Sequence, residues 1–144
     1  MPGVLVVTHG GFAEELVKAT KKIVGDVEAF EAVSIGWNDQ VVEASKRIEQ
    51  AIRRVDRGKG VLLLTDMFGG TPTNLALSFL EEGRIEIITG VNLPMLIKLT
   101  NLREEQELPE VATKIAAEGK QAIHVASHVL EPRAAEDEEE QEGS

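Results

Sequence analysis

The sequence predicts an α/β domain: a mainly parallel sheet with helices on both faces. Two runs, Gly3 to Thr8 (GVLVVT) and Gly60 to Asp66 (GVLLLTD), are apolar without polar alternation, as in strands buried on both sides. Each leads through a glycine loop into a segment with helical apolar spacing. Strand and helix patterns then alternate along the chain, which is the signature of βαβ units.

The elements follow in order. After the first strand, the loop His9-Gly10-Gly11 opens a helix over Phe12 to Val24, with Phe12, Leu16, Ala19 and Ile23 on one face and Gly25 as its stop. Glu28 to Ile35 alternates, Phe30 and Ala32 against Val33 and Ile35, and predicts a second strand nearer a sheet edge. Asn38 and Asp39 offer an N-cap to an amphipathic helix through Val41, Ala44, Ile48, Ala51, Ile52 and Val55, ending at Gly58. The third strand, 60–66, is followed by Met67-Phe68-Gly69-Gly70 and a helix with Thr71 as N-cap and Pro72 at its first position, running through Phe79 and Leu80 to Gly83. Arg84 to Thr89 is the fourth strand, and Pro94 opens a helix reaching Leu99. A last helix, Leu108 to Glu118, stops at Gly119, and Gln121 to Ala126 is a short strand candidate.

Length and composition narrow the class. The 144 residues suit one domain, and the absence of cysteine excludes disulfide scaffolds, thiolate metal sites and cysteine nucleophiles. No apolar stretch reaches the ~20 residues of a membrane span, and the opening Met1-Pro2-Gly3-Val4 lacks the basic region of a signal peptide, so no membrane insertion and a cytoplasmic location are expected. The formal charge of −10 is concentrated at the end, where seven acids and one arginine follow Leu130. The chain is accordingly divided into a domain over 1–130 and an acidic tail over 131–144, which has no apolar face to bury and is expected to be disordered. An acidic surface without basic clusters argues against nucleic acid.

Parallel α/β sheets bear function at the carboxyl ends of their strands, where the strand order reverses. Three loops meet that rule: Thr8-His9-Gly10-Gly11, Asp66-Met67-Phe68-Gly69-Gly70-Thr71-Pro72, and Gly90-Val91-Asn92-Leu93-Pro94. His9 ends a buried strand, and a neutral imidazole is a nucleophile or base near pH 7. Asp66 ends the third strand, where an adjacent parallel strand brings it to the imidazole as the acceptor that orients the ring. Gly69 to Pro72 offers backbone N–H groups at a helix start, suited to an anion such as a phosphoryl group. Taken singly, His9 reads as a turn residue, Asp66 as a cap, Gly69-Gly70 as a tight turn and Asn92 as a turn residue. His124 and His128 read as surface or packing residues, and the three histidines lack metal-ligand spacing.

The combination is more specific. Thr8-His9-Gly10, the run from Gly60 to Asn74 (GVLLLTDMFGGTPTN) and Gly90 to Leu96 (GVNLPML) closely resemble the enzyme IIA domain of the mannose/fructose-type bacterial phosphotransferase system, in order and over about residues 3 to 127. The resemblance implies a phosphoryl carrier that takes its group from the histidine-containing phosphocarrier protein and passes it to a IIB component, which phosphorylates a sugar. His9 falls on the phosphorylated position, and Asp66 matches the aspartate that bonds ring Nδ1 and leaves Nε2 to attack. Thr71, with backbone groups around Gly70, matches the position contacting the phosphoryl oxygens. No metal and no cofactor are implied.

The resemblance further implies a four-stranded parallel core and a C-terminal antiparallel strand exchanged between the subunits of a homodimer, with 121–126 at that strand's place. Phe12, Met67, Phe68 and Asn92 are the candidates for docking partner proteins, although Phe12 and Phe68 equally suit the core. Two features depart from the family pattern. Many members continue into a IIB domain, whereas this chain runs into its acidic tail, so the IIB partner is expected as a separate protein. Phe68 stands where the mannose-specific form has tryptophan. A second reading is a regulatory binding module switched by phosphorylation, without a transport role. A hydrolase using His9 and Asp66 ranks below both, since no serine nucleophile or metal set accompanies them.

Overall fold

The computed structural model describes residues 1–102 and 106–130. Four strands, β1 (Gly3–His9), β2 (Phe30–Ile35), β3 (Val61–Thr65) and β4 (Ile85–Thr89), form one all-parallel sheet in the order β2-β1-β3-β4. Between and after them lie α1 (Phe12–Val24), α2 (Val41–Val55), α3 (Thr71–Leu77), α4 (Leu93–Thr100), α5 (Leu108–Gln121) and α6 (Ala126–Leu130).

The period-2 alternation of the central strands divides the core in two. Val4, Val6, Leu62 and Leu64 face α1, α4 and α5 through Leu16, Val17, Met95, Leu96, Leu99, Val111 and Ile115. On the opposite face Leu5, Val7, Val61 and Leu63 meet α2 and α3 through Ala44, Ile48, Ala51, Val55, Leu75 and Ala76. The exchange of faces follows from chain direction. With right-handed crossovers, stepping from β1 to β2 puts α1 on one face, and stepping back to β3 and β4 puts α2 and α3 on the other. The direction reverses between β1 and β3, so that crevice is the topological switch point. Its register pairs Val7 with Thr65, which aligns the carboxyl ends of the two strands.

Several sequence expectations are corrected. The expected C-terminal strand, 121–126, has no partner strand in the single chain and is not formed there. α5 continues to Gln121, residues 123–125 carry no regular structure, and Ala126–Leu130 is helical. The physical reason is pairing: a strand needs a ladder partner, and the single chain pairs nothing with this segment. Gly119 does not stop α5 but lies buried within it, because a side chain there would run into Met95 (a Cβ would lie 2.5 Å from its sulfur). α3 ends at Leu77 rather than near Gly83, and the chain turns through Ser78 to Leu80 before Glu81 bridges to Ile85. The N-caps of α2 and α3 are Gln40 and Gly70, each without a side-chain cap, in place of Asn38 or Asp39 and Thr71. The expected tail, 131–144, lies outside the described residues.

Because β3 is buried on both faces, its leucines anchor both cores at once. Leu63→Ala is expected to cost about 2–5 kcal/mol, while Leu77→Ala at an exposed position costs about 0.5 kcal/mol or less. Urea denaturation midpoints of the two variants, with unchanged slopes, check this contrast.

Candidate functional site

The switch point brings together the two residues that end its strands. His9 closes β1, and Asp66 follows Thr65 at the end of β3. One carboxylate oxygen, Asp66 Oδ2, accepts two hydrogen bonds from the same residue, 3.0 Å from the His9 backbone N–H and 2.7 Å from ring Nδ1. The other oxygen accepts the Met67 N–H at 3.1 Å. An ionised carboxylate can only accept, so the ring proton belongs on Nδ1 and the Nε2 lone pair is free. The Cε1–Nε2 edge of the ring lies against Gly70, where an added Cβ would lie 3.0 Å from Cε1 and 3.2 Å from Nε2 of the imidazole. Gly70 also has φ +85°, so both its backbone and its closeness to the ring require glycine.

Buried threonines hold this arrangement from below. Thr8, Thr65 and Thr73 are fully buried, and each has a hydroxyl partner at the site's base. Thr8 Oγ1 accepts the Ala13 N–H at 2.6 Å and so fixes the first turn of α1 directly after the His9 loop. Thr73 lies 2.7 Å from the Thr65 hydroxyl and donates to the Met67 carbonyl, tying α3 and the 66–70 loop to β3. The Thr65 carbonyl accepts from Gly90 and Val91, both at 2.9 Å, which brings the third predicted loop to the same strand end.

The remaining predicted residues divide. Thr71 begins α3 next to Gly70 and is exposed. Phe12, Met67 and Phe68 are exposed rather than core, Phe68 by 79%. Asn92 is spent internally: its side chain caps α4 by accepting the Met95 N–H at 3.1 Å and donates to the Gly119 carbonyl of α5 at 3.1 Å. Sequence reasoning missed Trp37, whose ring stacks on His9 with centroids 5.2 Å apart and planes inclined by 22°. A signal was present, since Trp37 is the chain's only tryptophan and follows the end of β2, a strand end that the carboxyl-end rule also covers.

The electrostatics favour an ionised Asp66. Burial alone raises its pKa, but hydrogen bonds from the His9 backbone and ring, together with attraction to the ring, outweigh burial and leave the carboxyl below its ordinary 3.8.

The structure is thus an open all-parallel α/β domain with a carboxylate-oriented histidine at its switch point. Residues 3–116 match the family described as PTS system fructose IIA component, EIIA-man. Over 132 residues the chain is 33% identical to the PTS system fructose-specific EIIA component of Bacillus subtilis strain 168, covering 91% of this chain and 90% of that protein. It is also 33% identical over 130 residues to the PTS system mannose-specific EIIAB component of Escherichia coli K12, covering 83% of this chain but only 39% of that longer protein. Among solved structures it is similar to the PTS IIA protein associated with the fucose utilization operon of Streptococcus pneumoniae, with TM-score 0.79, 26% identity, and 90% and 96% of the two chains covered. The chain belongs to the EIIA-man family, as an EIIA component of the mannose/fructose type.

The depressed carboxyl has a consequence for stability. A group whose folded-state pKa lies below its unfolded value adds stability that is fully present above the unfolded value and fades as the pH falls through the folded one. Carbon-detected NMR titration of Asp66 is expected to give a midpoint below 3.8. The stability lost in Asp66→Asn should be constant from neutral pH down to that region and shrink below it.

Proposed function

We propose that His9 carries a phosphoryl group, accepting it from the histidine-containing phosphocarrier protein and passing it to a IIB component. The observation that carries this reading is the paired hydrogen bonding by Asp66 Oδ2, which leaves Nε2 as the one free nitrogen of a fixed ring. In the step, the Nε2 lone pair attacks phosphorus in line with the donor's P–N bond. The P–Nε2 bond forms, and the donor imidazole leaves with the electron pair of the broken bond. A phosphorylated imidazole with its second nitrogen protonated is formally positive, so the positive charge passes from donor ring to His9 and no proton moves. Asp66 faces the Nδ1 proton throughout and compensates that charge.

Phosphoryl transfer has a loose transition state and depends on positioning and charge stabilisation. Backbone at Gly70 beside Nε2, with Thr71 following it, supports a role for these two residues in steadying the phosphoryl oxygens. Exposed Phe12, Met67 and Phe68 flank His9 and Asp66 in the chain, and apolar side chains of this kind suit docking of both partner proteins in turn. No described helix is long and apolar enough to cross a membrane.

A homodimer is part of the same proposal. Ile123, Val125, Val129 and Leu130 are all exposed, and every residue of the edge strand β4 is half-buried. Pairing of the 121–126 segment with a second copy answers both exposures and closes a sheet edge. Sedimentation equilibrium is expected to give twice the chain mass, and a shift toward monomer for Ile123→Asp with Val125→Asp. A wild-type monomer overturns the dimer.

Intact-mass measurement with phosphoenolpyruvate, enzyme I and the phosphocarrier protein tests the carrier role. Wild type is expected to gain about 80 Da, the mass of one phosphoryl group, and to lose it in acid. His9→Ala should gain nothing, and Asp66→Asn should fold but acquire the group more slowly. An unmodified wild type overturns the reading.

A further inference from the structure

Trp37 is 80% exposed, yet its ring is stacked against the imidazole of His9. The separation and tilt of the two rings are those of an offset stack, not of a passing contact.

The loop that carries the indole is braced from both sides. The Gly10 N–H donates to the Ile35 carbonyl at 2.7 Å, fastening the end of β2 to the residue after His9. Beyond it, the Gly36 N–H donates to Asp39 Oδ2 at 2.7 Å, and the Asp39 N–H returns to the Gly36 carbonyl at 3.2 Å. Arg47 of α2 then clamps the turn, reaching Asp39 Oδ2 at 3.2 Å and the Ser34 carbonyl at 2.9 Å. A Cβ at position 36 would lie 2.7 Å from Asp39 Oδ1, so a side chain there would displace the carboxylate from this brace. The indole therefore stands on a fixed turn, and the ring of His9 has three restraints: Asp66 at Nδ1, Gly70 beside Nε2, and Trp37 on one face.

We infer that Trp37 is a positioning residue for His9 and that its indole stabilises the imidazole in its phosphorylated, positively charged form. The inference rests on the carrier reading. Joining phosphorus to Nε2 while Nδ1 keeps its proton makes the ring cationic, and a cation against an indole face is attracted by the ring quadrupole. Hydrolysis breaks the P–Nε2 bond, water supplies the oxygen taken by phosphorus and its protons pass to the released phosphate and solvent, and the electron pair returns to Nε2, leaving a neutral ring. The indole thus favours the phosphorylated side of that reaction. Asp66 does the same from the ring edge, so the charge is met in the ring plane and across one face.

The test compares wild type, Trp37→Phe and Trp37→Ala, each phosphorylated by phosphoramidate so that no partner protein enters. Proton NMR of the unphosphorylated proteins is expected to show the His9 ring protons moving downfield in Trp37→Ala, where the indole ring current is lost, while those of His124 and His128 stay put. Phosphorus NMR near neutral pH should show the phosphohistidine of Trp37→Ala decaying about two- to fivefold faster than wild type, with Trp37→Phe between them, as an exposed cation–π contact dictates. Asp39→Ala, which cuts the brace and touches neither ring, should move the His9 protons the same way by less. Unmoved His9 protons, or equal decay rates, in proteins that do become phosphorylated overturn the role of Trp37 and leave the carrier reading standing. A wild type that phosphoramidate cannot modify overturns the carrier reading, and with it the charge stabilisation.

Discussion

One carboxylate oxygen joins the two central strands at the point where chemistry is possible. Asp66 Oδ2 bonds the His9 main chain and the His9 ring, so the backbone of β1 and the orientation of its last side chain are set by a single atom from β3. This depends on the β1–β3 register, which aligns Val7 with Thr65. A slip of one residue would turn the central side chains to the wrong cores and separate the pair. Packing and site geometry are thus the same constraint, and the leucines of β3 serve both.

The buried polar groups extend that logic. Thr8 and Thr73 occupy positions where an apolar residue would leave backbone groups unsatisfied at the base of the loops, and the Thr65 hydroxyl holds that of Thr73. Their hydroxyls convert the ends of two apolar strands into anchors for α1, α3 and the 66–70 loop. The fourth fully buried polar residue described, Thr20, bonds the Leu16 carbonyl one turn back within α1 and plays no such part.

The alternation of strands and helices was legible because both central strands are apolar on both faces and each glycine loop interrupts the pattern. His9 and Asp66 were legible for the same reason: a polar residue ending such a run is conspicuous, and parallel neighbours must meet at those ends. What escaped depends on contacts distant in sequence. Phe79 and Leu80 continue the helical period of α3, yet the chain has to turn there to return along β3. Gly119 reads as a stop, but its smallness serves Met95 across the α4–α5 contact. The carboxylate of Asp39 is engaged by Gly36 and Arg47 and cannot cap α2. The 121–126 segment reads as a strand from its composition, whereas a strand exists only beside another, and no pattern within one chain supplies that neighbour. Trp37 was missed because a ring stack has no period, so only its place after β2 pointed to the site.

The distribution of charge bears on how an acidic protein can exchange so anionic a group. The formal charge is −10, but in the site loops 8–12, 36–40, 66–74 and 90–94 the only acids are Asp66, which already faces the histidine ring, and Asp39, which is paired with Arg47. Glu14 and Glu15 follow on α1, whose first turn favours acids through the helix dipole. More distant carboxylates are screened over a Debye length of about 8 Å at physiological salt. The loops around His9 instead present glycine backbone and exposed Phe12, Trp37, Met67 and Phe68. An incoming phosphoryl group on the proposed path thus meets backbone N–H groups and apolar surface, while a partner protein loses little by shedding water from them. The acidity of the chain and its proposed role are compatible because the carboxylates lie mainly outside the loops at the strands' carboxyl ends.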